Sequence, residues 1–219
     1  MPKNISAPAT KRRLSRQAKA LKTVGKGLGV RVLGIDPAFR NTGWACMELC
    51  EHGEVVRSVG LIRTQKSDKK HKILVSDDNH RCCREITKAL VAAIKAYDPH
   101  VICAESMVGS QNAKSATQLG LAQGIISTIV TMLDIPLIQA TPQGVKKALC
   151  GVNNASKQDI ADAVSKLYPV GGLVGDIKPP SAREHVYDAI AIIKTCLDST
   201  EIQTLRRMQR PTRKQDDQD

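Results

Sequence analysis

Asp36, Glu105, His185 and Asp188 are the residues of this chain whose types and placement could do chemistry. Each belongs to an apolar setting: Val30-Arg31-Val32-Leu33-Gly34-Ile35 leads into Asp36, Val101-Ile102-Cys103-Ala104 leads into Glu105, and His185 and Asp188 sit in a late run rich in Ala and Ile. A carboxylate among apolar neighbours is costly unless an opposite charge meets it. Three oxygen donors and an imidazole, remote in sequence, suit a hard divalent cation such as Mg²⁺ working on a phosphodiester. The chemistry expected of them is that of a nuclease. Taken singly, each has an ordinary alternative, Asp36 as a turn or cap residue and Asp188 as a charge on a solvated helix face. The four together favour a shared centre.

The elements that must position them follow from the apolar patterning. Val30 to Asp36 reads as a buried strand ended by Pro37, and Asn41-Thr42-Gly43 supplies turn chemistry before a second strand, Trp44 to Leu49. Glu51 to Glu54 reads as another turn and Val55 to Ile62 as a third strand, so the three form an antiparallel meander. Ile86, Leu90, Ala93, Ile94 and Tyr97 keep helical spacing within a helix over 73–97, which Asp98-Pro99 stops. Val101 to Glu105 repeats the pattern of a strand ending in a carboxylate. A helix over 114–133, a strand over 136–140, helices from Pro142 and Ser156, and a final helix over 182–197 complete the order. His185 and Asp188, three apart, share a face of that last helix. Three meander strands followed by alternating helices and strands predict one α/β domain with a mixed sheet.

Composition bounds the rest. The 219 residues suffice for a core without disulfide or metal staples, and with 2% aromatics that core is aliphatic. Seven cysteines, without a Cys-x-x-Cys, suggest neither a zinc ribbon nor a disulfide framework and fit a reducing compartment. The most hydrophobic stretch, Leu119 to Leu133, contains Gln123 and reads as too short for a bilayer, which needs roughly 20 apolar residues, so no membrane partner is expected.

The net charge of +12 is uneven. Residues 1–30 carry Lys3, Lys11, Arg12, Arg13, Arg16, Lys19, Lys22 and Lys26 with no acidic residue, whereas residues 198–219 carry five charges of each sign. This divides the chain into a basic arm (1–29), a nuclease domain (30–197) and a mixed-charge tail (198–219), disordered or partly helical. The arm is expected to neutralise DNA phosphates without reading sequence. The other reading is an organellar transit peptide, with Leu14, Ala18 and Leu21 on one helical face. The first places the protein with DNA in the cytoplasm of a bacterial or virus-infected cell, and the second in an organelle matrix.

Five blocks also carry a family resemblance. They are Leu33-Gly34-Ile35-Asp36-Pro37 with Thr42-Gly43-Trp44; Ala104-Glu105 followed by Asn112-Ala113-x-Ser115-Ala116-x-x-Leu119-Gly120-x-Ala122-x-Gly124; Val145-Lys146 to Gly151; Ala155-x-Lys157; and His185-x-x-Asp188-Ala189-x-Ala191. In this order they resemble the RuvC family of Holliday junction resolvases over roughly residues 30–197. The resemblance implies an RNase H-like fold with a mixed five-stranded sheet, the meander plus two parallel strands, flanked by helices. It also implies a homodimer that nicks two strands symmetrically across a four-way DNA junction with Mg²⁺.

Within that frame Asp36 is expected to bridge two ions, Glu105 to bind one, and Asp188 with His185 the other. The family carries Asp or His at the position of His185. Imidazole removes one negative charge from the site and favours tolerance of Mn²⁺, while a role in positioning or deprotonating the attacking water stays open beside ligation. Lys146 and Lys157 match lysines the family uses near the scissile phosphate, where an ammonium offsets transition-state charge. Lys147 has no such match and is expected to face solvent. Gly120 and Gly124, four apart on a helix, let another backbone approach; the resemblance makes that a dimer partner, the alternative being the protein's own sheet. Many relatives carry a stacking aromatic where this chain has Val108, which leaves Met107 or Val108 to wedge between bases by apolar contact. A branch-migration partner is not defined. Two other activities remain open: a junction binder with weak catalysis, and a broader flap or RNA–DNA hybrid nuclease on the same fold.

Overall fold

A computed structural model of the protein describes residues 29–67, 73–106, 109 and 112–209. The basic arm through residue 28, Met107 and Val108, and residues 210–219 of the tail lie outside the described residues. The strands are β1 (Val30–Asp36), β2 (Asn41–Cys50), β3 (Gly53–Arg63), β4 (Val101–Glu105) and β5 (Leu137–Ala140). They form one sheet in the order β3-β2-β1-β4-β5, with β1, β2 and β3 antiparallel and β4 and β5 parallel to β1. The helices are α1 (Val75–Tyr97), α2 (Ala113–Leu133), α3 (Pro142–Cys150), α4 (Lys157–Leu167), α5 (Gly171–Gly175), α6 (Arg183–Cys196) and α7 (Thr200–Gln209). The mixed five-stranded sheet flanked by helices is the architecture expected.

Helices cover both faces of the sheet, so its central strands are apolar on both. Along β1, Val30 and Val32 enter one core while Leu33 and Ile35 enter the other; on β4, Val101 and Cys103 separate likewise from Ile102 and Ala104. Strand side chains alternate, so Asp36 and Glu105 continue the first face. That face is covered by α6, whose Ile190, Ile192 and Ile193 are buried, backed by Val145 of α3 and Ile160 and Val164 of α4. Each of those isoleucines contributes about 1.5–3 kcal/mol by leaving water. The second face is covered by α1 through Cys82, Ile86, Leu90 and Ile94, and by α2 through Ile126, Ile129 and Val130.

Local chemistry sets the helix ends. The Asn112 side chain accepts from the N–H groups of Lys114 and Ser115 to start α2, and Thr141 caps α3 with Pro142 in its first turn. Gly151 ends α3 at φ +74°, in the left-handed region. Ser156 and Asp159 form a reciprocal capping box that starts α4.

Four expectations are corrected. Asn41-Thr42-Gly43 is not a turn but the start of β2, with Gly43 paired to Asp36. The reversal is made upstream by Pro37, where Thr42 Oγ1 donates to Ala38 O at 2.7 Å. The packed unit does not end at residue 197: α7 is helical and its Ile202 is fully buried in the first core. The stretch Leu119 to Leu133 does not stand alone: α2 as a whole, at 21 residues, is long and apolar enough by length and composition to cross a membrane; here its inner face packs on the sheet. Finally, among the described residues a Cβ built on Gly120 or Gly124 meets nothing within 4 Å, so neither glycine is there for packing on the protein's own sheet.

Candidate active site

Two glycines let α6 lie directly on the sheet. A Cβ on Gly34 would stand 2.3 Å from Ala189 O, and a Cβ on Gly43 would stand 2.0 Å from His185 O. This close approach brings the first turns of α6 onto the end of β1. Asp36, only 8% exposed there, faces His185, with Nδ1 2.7 Å from Asp36 Oδ2. One donor atom from each of Asp36, His185 and Asp188 lies within 4.8 Å of the others.

All six residues expected from the sequence, Asp36, Glu105, Lys146, Lys157, His185 and Asp188, border one open cleft of roughly 580 Å³. Glu105 is outside the compact trio and enters the cleft from the end of β4, where the Gln123 side chain of α2 donates to its backbone carbonyl. Lys157, in the first turn of α4, reaches Asp188 Oδ2 at 3.5 Å and Glu184 Oε2 at 3.3 Å. Lys146 lines the cleft from α3, whereas Lys147 is exposed.

The electrostatics are those of too much negative charge in too little water. Burial, then the charges of Asp36 and Asp188, push the Glu105 carboxyl up to about 7, against the pull of Lys157 and Lys146. Burial and Asp36 push Asp188 up to about 6, opposed by Lys157 and His185. The hydrogen bond to Asp36 raises His185 in spite of its burial. Lys157 is raised too, since Asp188 and Glu184 outweigh the desolvation that would lower it. Each shift is relieved by added positive charge, and hard carboxylate oxygens with one imidazole are a donor set that fits a divalent metal ion.

Several residues of the site were not anticipated. Arg40 from the β1–β2 connection, Asn41 at the start of β2, and Ser115 and Gln118 from α2 line the cleft, and Glu184 lies near both Lys157 and, at 3.7 Å, His185 Nε2. Ser115 and Gln118 carried a usable signal, being polar at helical spacing beside Leu119 in one of the family-like blocks. Arg40 also has structural partners, an ion pair with Asp78 at 3.7 Å and the Phe39 ring at 5.2 Å.

The family model described as crossover junction endodeoxyribonuclease RuvC matches residues 32–195. A protein of that name from Salinibacter ruber is 30% identical over 166 residues, covering 74% of this chain and 81% of the relative. One from Hydrogenovibrio crunogenus is 29% identical over 137 residues, covering 63% of this chain and 74% of its own length. Among solved structures, Thermus thermophilus RuvC in complex with a Holliday junction substrate superposes with a TM-score of 0.62 at 18% identity, over 82% of this chain and 97% of that one. The yeast mitochondrial Holliday junction resolvase Ydc2 gives 0.57 at 12% identity, over 89% of each chain. At these identities the two structures speak for the fold alone.

Proposed function

The chain belongs to the RuvC family of crossover junction endodeoxyribonucleases, and on that premise we propose that it resolves four-way DNA junctions by paired, symmetric, metal-dependent nicks. The observation that carries this reading is the convergence of Asp36, Glu105, His185 and Asp188, from two strands and a helix, on one open cleft flanked by lysines. An open cleft admits a phosphodiester backbone.

Asp36, Glu105, Asp188 and His185 would hold the divalent ions, with Mg²⁺ as the resident metal and Mn²⁺ tolerated because of the imidazole. Such ions lower the pKa of a water and stabilise charge on the attacked phosphate. Asp36, buried at the centre of the sheet and held by its bond to His185, supplies the fixed reference for the other donors. Lys146 and Lys157 offset charge that grows on the phosphate oxygens as the bond to the leaving oxygen breaks. Arg40, Ser115 and Gln118 border the track along which the strand lies.

Two symmetric nicks need two sites related by a twofold axis, so we assign the working unit as a homodimer. Gly120 and Gly124 support α2 as the contact, since among the described residues nothing of the protomer stands against them and a partner's backbone can approach. A basic arm ahead of a nuclease domain that runs on through α7 belongs to the same proposal, as does a location with DNA in the bacterial cytoplasm.

The test is incubation of the purified protein with labelled four-way junction, linear duplex and RNA–DNA hybrid in Mg²⁺ or Mn²⁺. Paired symmetric nicks confined to the junction are expected. Junction binding without cleavage, or equal cleavage of the hybrid, would replace the proposal with the weak binder or the broader nuclease.

A further inference from the structure

Glu184 immediately precedes His185 in the first turn of α6, and its two oxygens approach two different nitrogen-bearing side chains. Oε2 lies 3.3 Å from Lys157 Nζ and Oε1 lies 3.7 Å from His185 Nε2. The other nitrogen of the same imidazole, Nδ1, lies 2.7 Å from Asp36 Oδ2, so the ring is held between two carboxylates. Nδ1 is the nitrogen that faces Asp36.

A neutral imidazole has one lone pair, so ligation through Nδ1 requires the proton on Nε2. Asp36 alone favours the opposite tautomer, because it rewards a proton on Nδ1. Glu184 Oε1, at 3.7 Å, is too far for a hydrogen bond as the ring now sits, but it places a carboxylate within reach of a proton left on Nε2 once a metal at Nδ1 displaces the bond to Asp36, the kind of outer partner that orients ligating histidines. Lys157 presents a second problem of the same kind. Its ammonium is 3.5 Å from Asp188 Oδ2, where a divalent ion would repel it. Glu184 gives it an anchor 3.3 Å away on the outer side.

We infer that Glu184 is a positioning residue that presents His185 to the metal through Nδ1 and holds the Lys157 ammonium at the edge of the site, clear of the metal. This rests on the metal-dependent reading above. Glu184 touches neither substrate nor ion in this role and acts only through its neighbours Lys157 and His185.

The experiment measures Mn²⁺ affinity by titration calorimetry in the full-length protein, with no DNA present. Glu184→Gln is expected to weaken Mn²⁺ binding by about 10-fold or more, the scale on which outer partners of ligands act, and Glu184→Asp to restore part of it. In a Lys157→Ala, His185→Asp background the Glu184→Gln change is expected to have no effect. Nitrogen chemical shifts of His185 in the metal-loaded protein are expected to report Nε2–H in the parent and a loss of that preference in Glu184→Gln. An equal loss of affinity in both backgrounds, or no loss in the parent background, overturns the inference. Cleavage is not a readout, so a protein that shows the expected Glu184 dependence yet never cuts junctions supports this inference while counting against the proposed reaction. Failure of the parent to bind Mn²⁺ overturns both.

Discussion

Gly43→Ala should switch off the cleft without unfolding the protein. The added methyl carbon would start 2.0 Å from the His185 carbonyl oxygen, 2.3 Å from its carbonyl carbon and 2.9 Å from its Cβ. Side-chain carbons do not approach backbone atoms below about 3 Å in a packed interior, so the first turn of α6 must retreat from β2 by roughly 1 Å. It cannot swing elsewhere cheaply, because Val186, Ala189 and Ile190 of the same helix are fully buried. Overpacking of this kind costs about 1–3 kcal/mol, or roughly 2–12 °C in melting temperature for a chain of this size. The chemical cost is larger. His185 sits 2.7 Å from Asp36, and a metal site tolerates ligand distances within only about 0.2 Å, while a 1 Å misplacement costs around 100-fold in rate. Single-turnover nicking of a labelled junction, alongside a thermal melt and Mn²⁺ titration, gives the three numbers. A variant that melts somewhat earlier, unfolds cooperatively and cuts about 100-fold more slowly is expected. Cleavage within twofold of the parent, with unchanged metal affinity, would refute the argument that Gly43 sets the spacing of the site.

Asp36→Asn should reduce cleavage to background and leave junction binding, measured by gel shift, nearly unchanged; loss of both would remove Asp36 from the chemistry. In metal-free buffer the folded carboxyls of Glu105 and Asp188 hold protons more tightly than unfolded ones, to about 7 and about 6. Their contribution is therefore favourable in acid, and stability should fall as pH rises from about 4.5 through 7, by on the order of 2–3 kcal/mol. Urea unfolding at pH 5.5 and 8 with chelator measures this, and a flat profile contradicts it. Gly124→Leu should turn the dimer into a monomer by sedimentation without lowering the melting temperature, since the protomer offers the new side chain open space; an intact dimer would move the interface off α2. Deleting residues 1–28 should weaken junction binding and lower its salt slope by about 0.9 per lost phosphate contact, and no change would favour the transit-peptide reading.

How far the sequence foretold this molecule differs from residue to residue. Asp36 and Glu105 were legible because each ends a run of β-branched and aliphatic residues, and the alternation along β1 and β4 puts both on one face. His185 and Asp188 were legible as a helical pair. What brings the two pairs together was hidden, since Gly43 looks like turn chemistry in the sequence and acts as a gap in the sheet surface that a helix fills. A missing side chain leaves no periodic signal. Glu184 was invisible for the opposite reason: an acid in the first turn of a helix is commonplace, and only the chain folding back at α4 supplies Lys157. Helix α7 was obscured by the balanced charges around it, although Ile202, Leu205 and Met208 keep helical spacing and the first of them is fully buried.

One feature of α6 bears on how the protein can evolve. The helix that carries His185 and Asp188 is also the keel of the larger core, with Val186, Ala189, Ile190, Ala191, Ile192 and Ile193 all buried along it. Folding and hydrolysis are thus inherited as a unit. Lineages that abandon cutting can do so only by exchanging the few polar positions on that helix, while drift among its aliphatic residues removes the scaffold and the activity together.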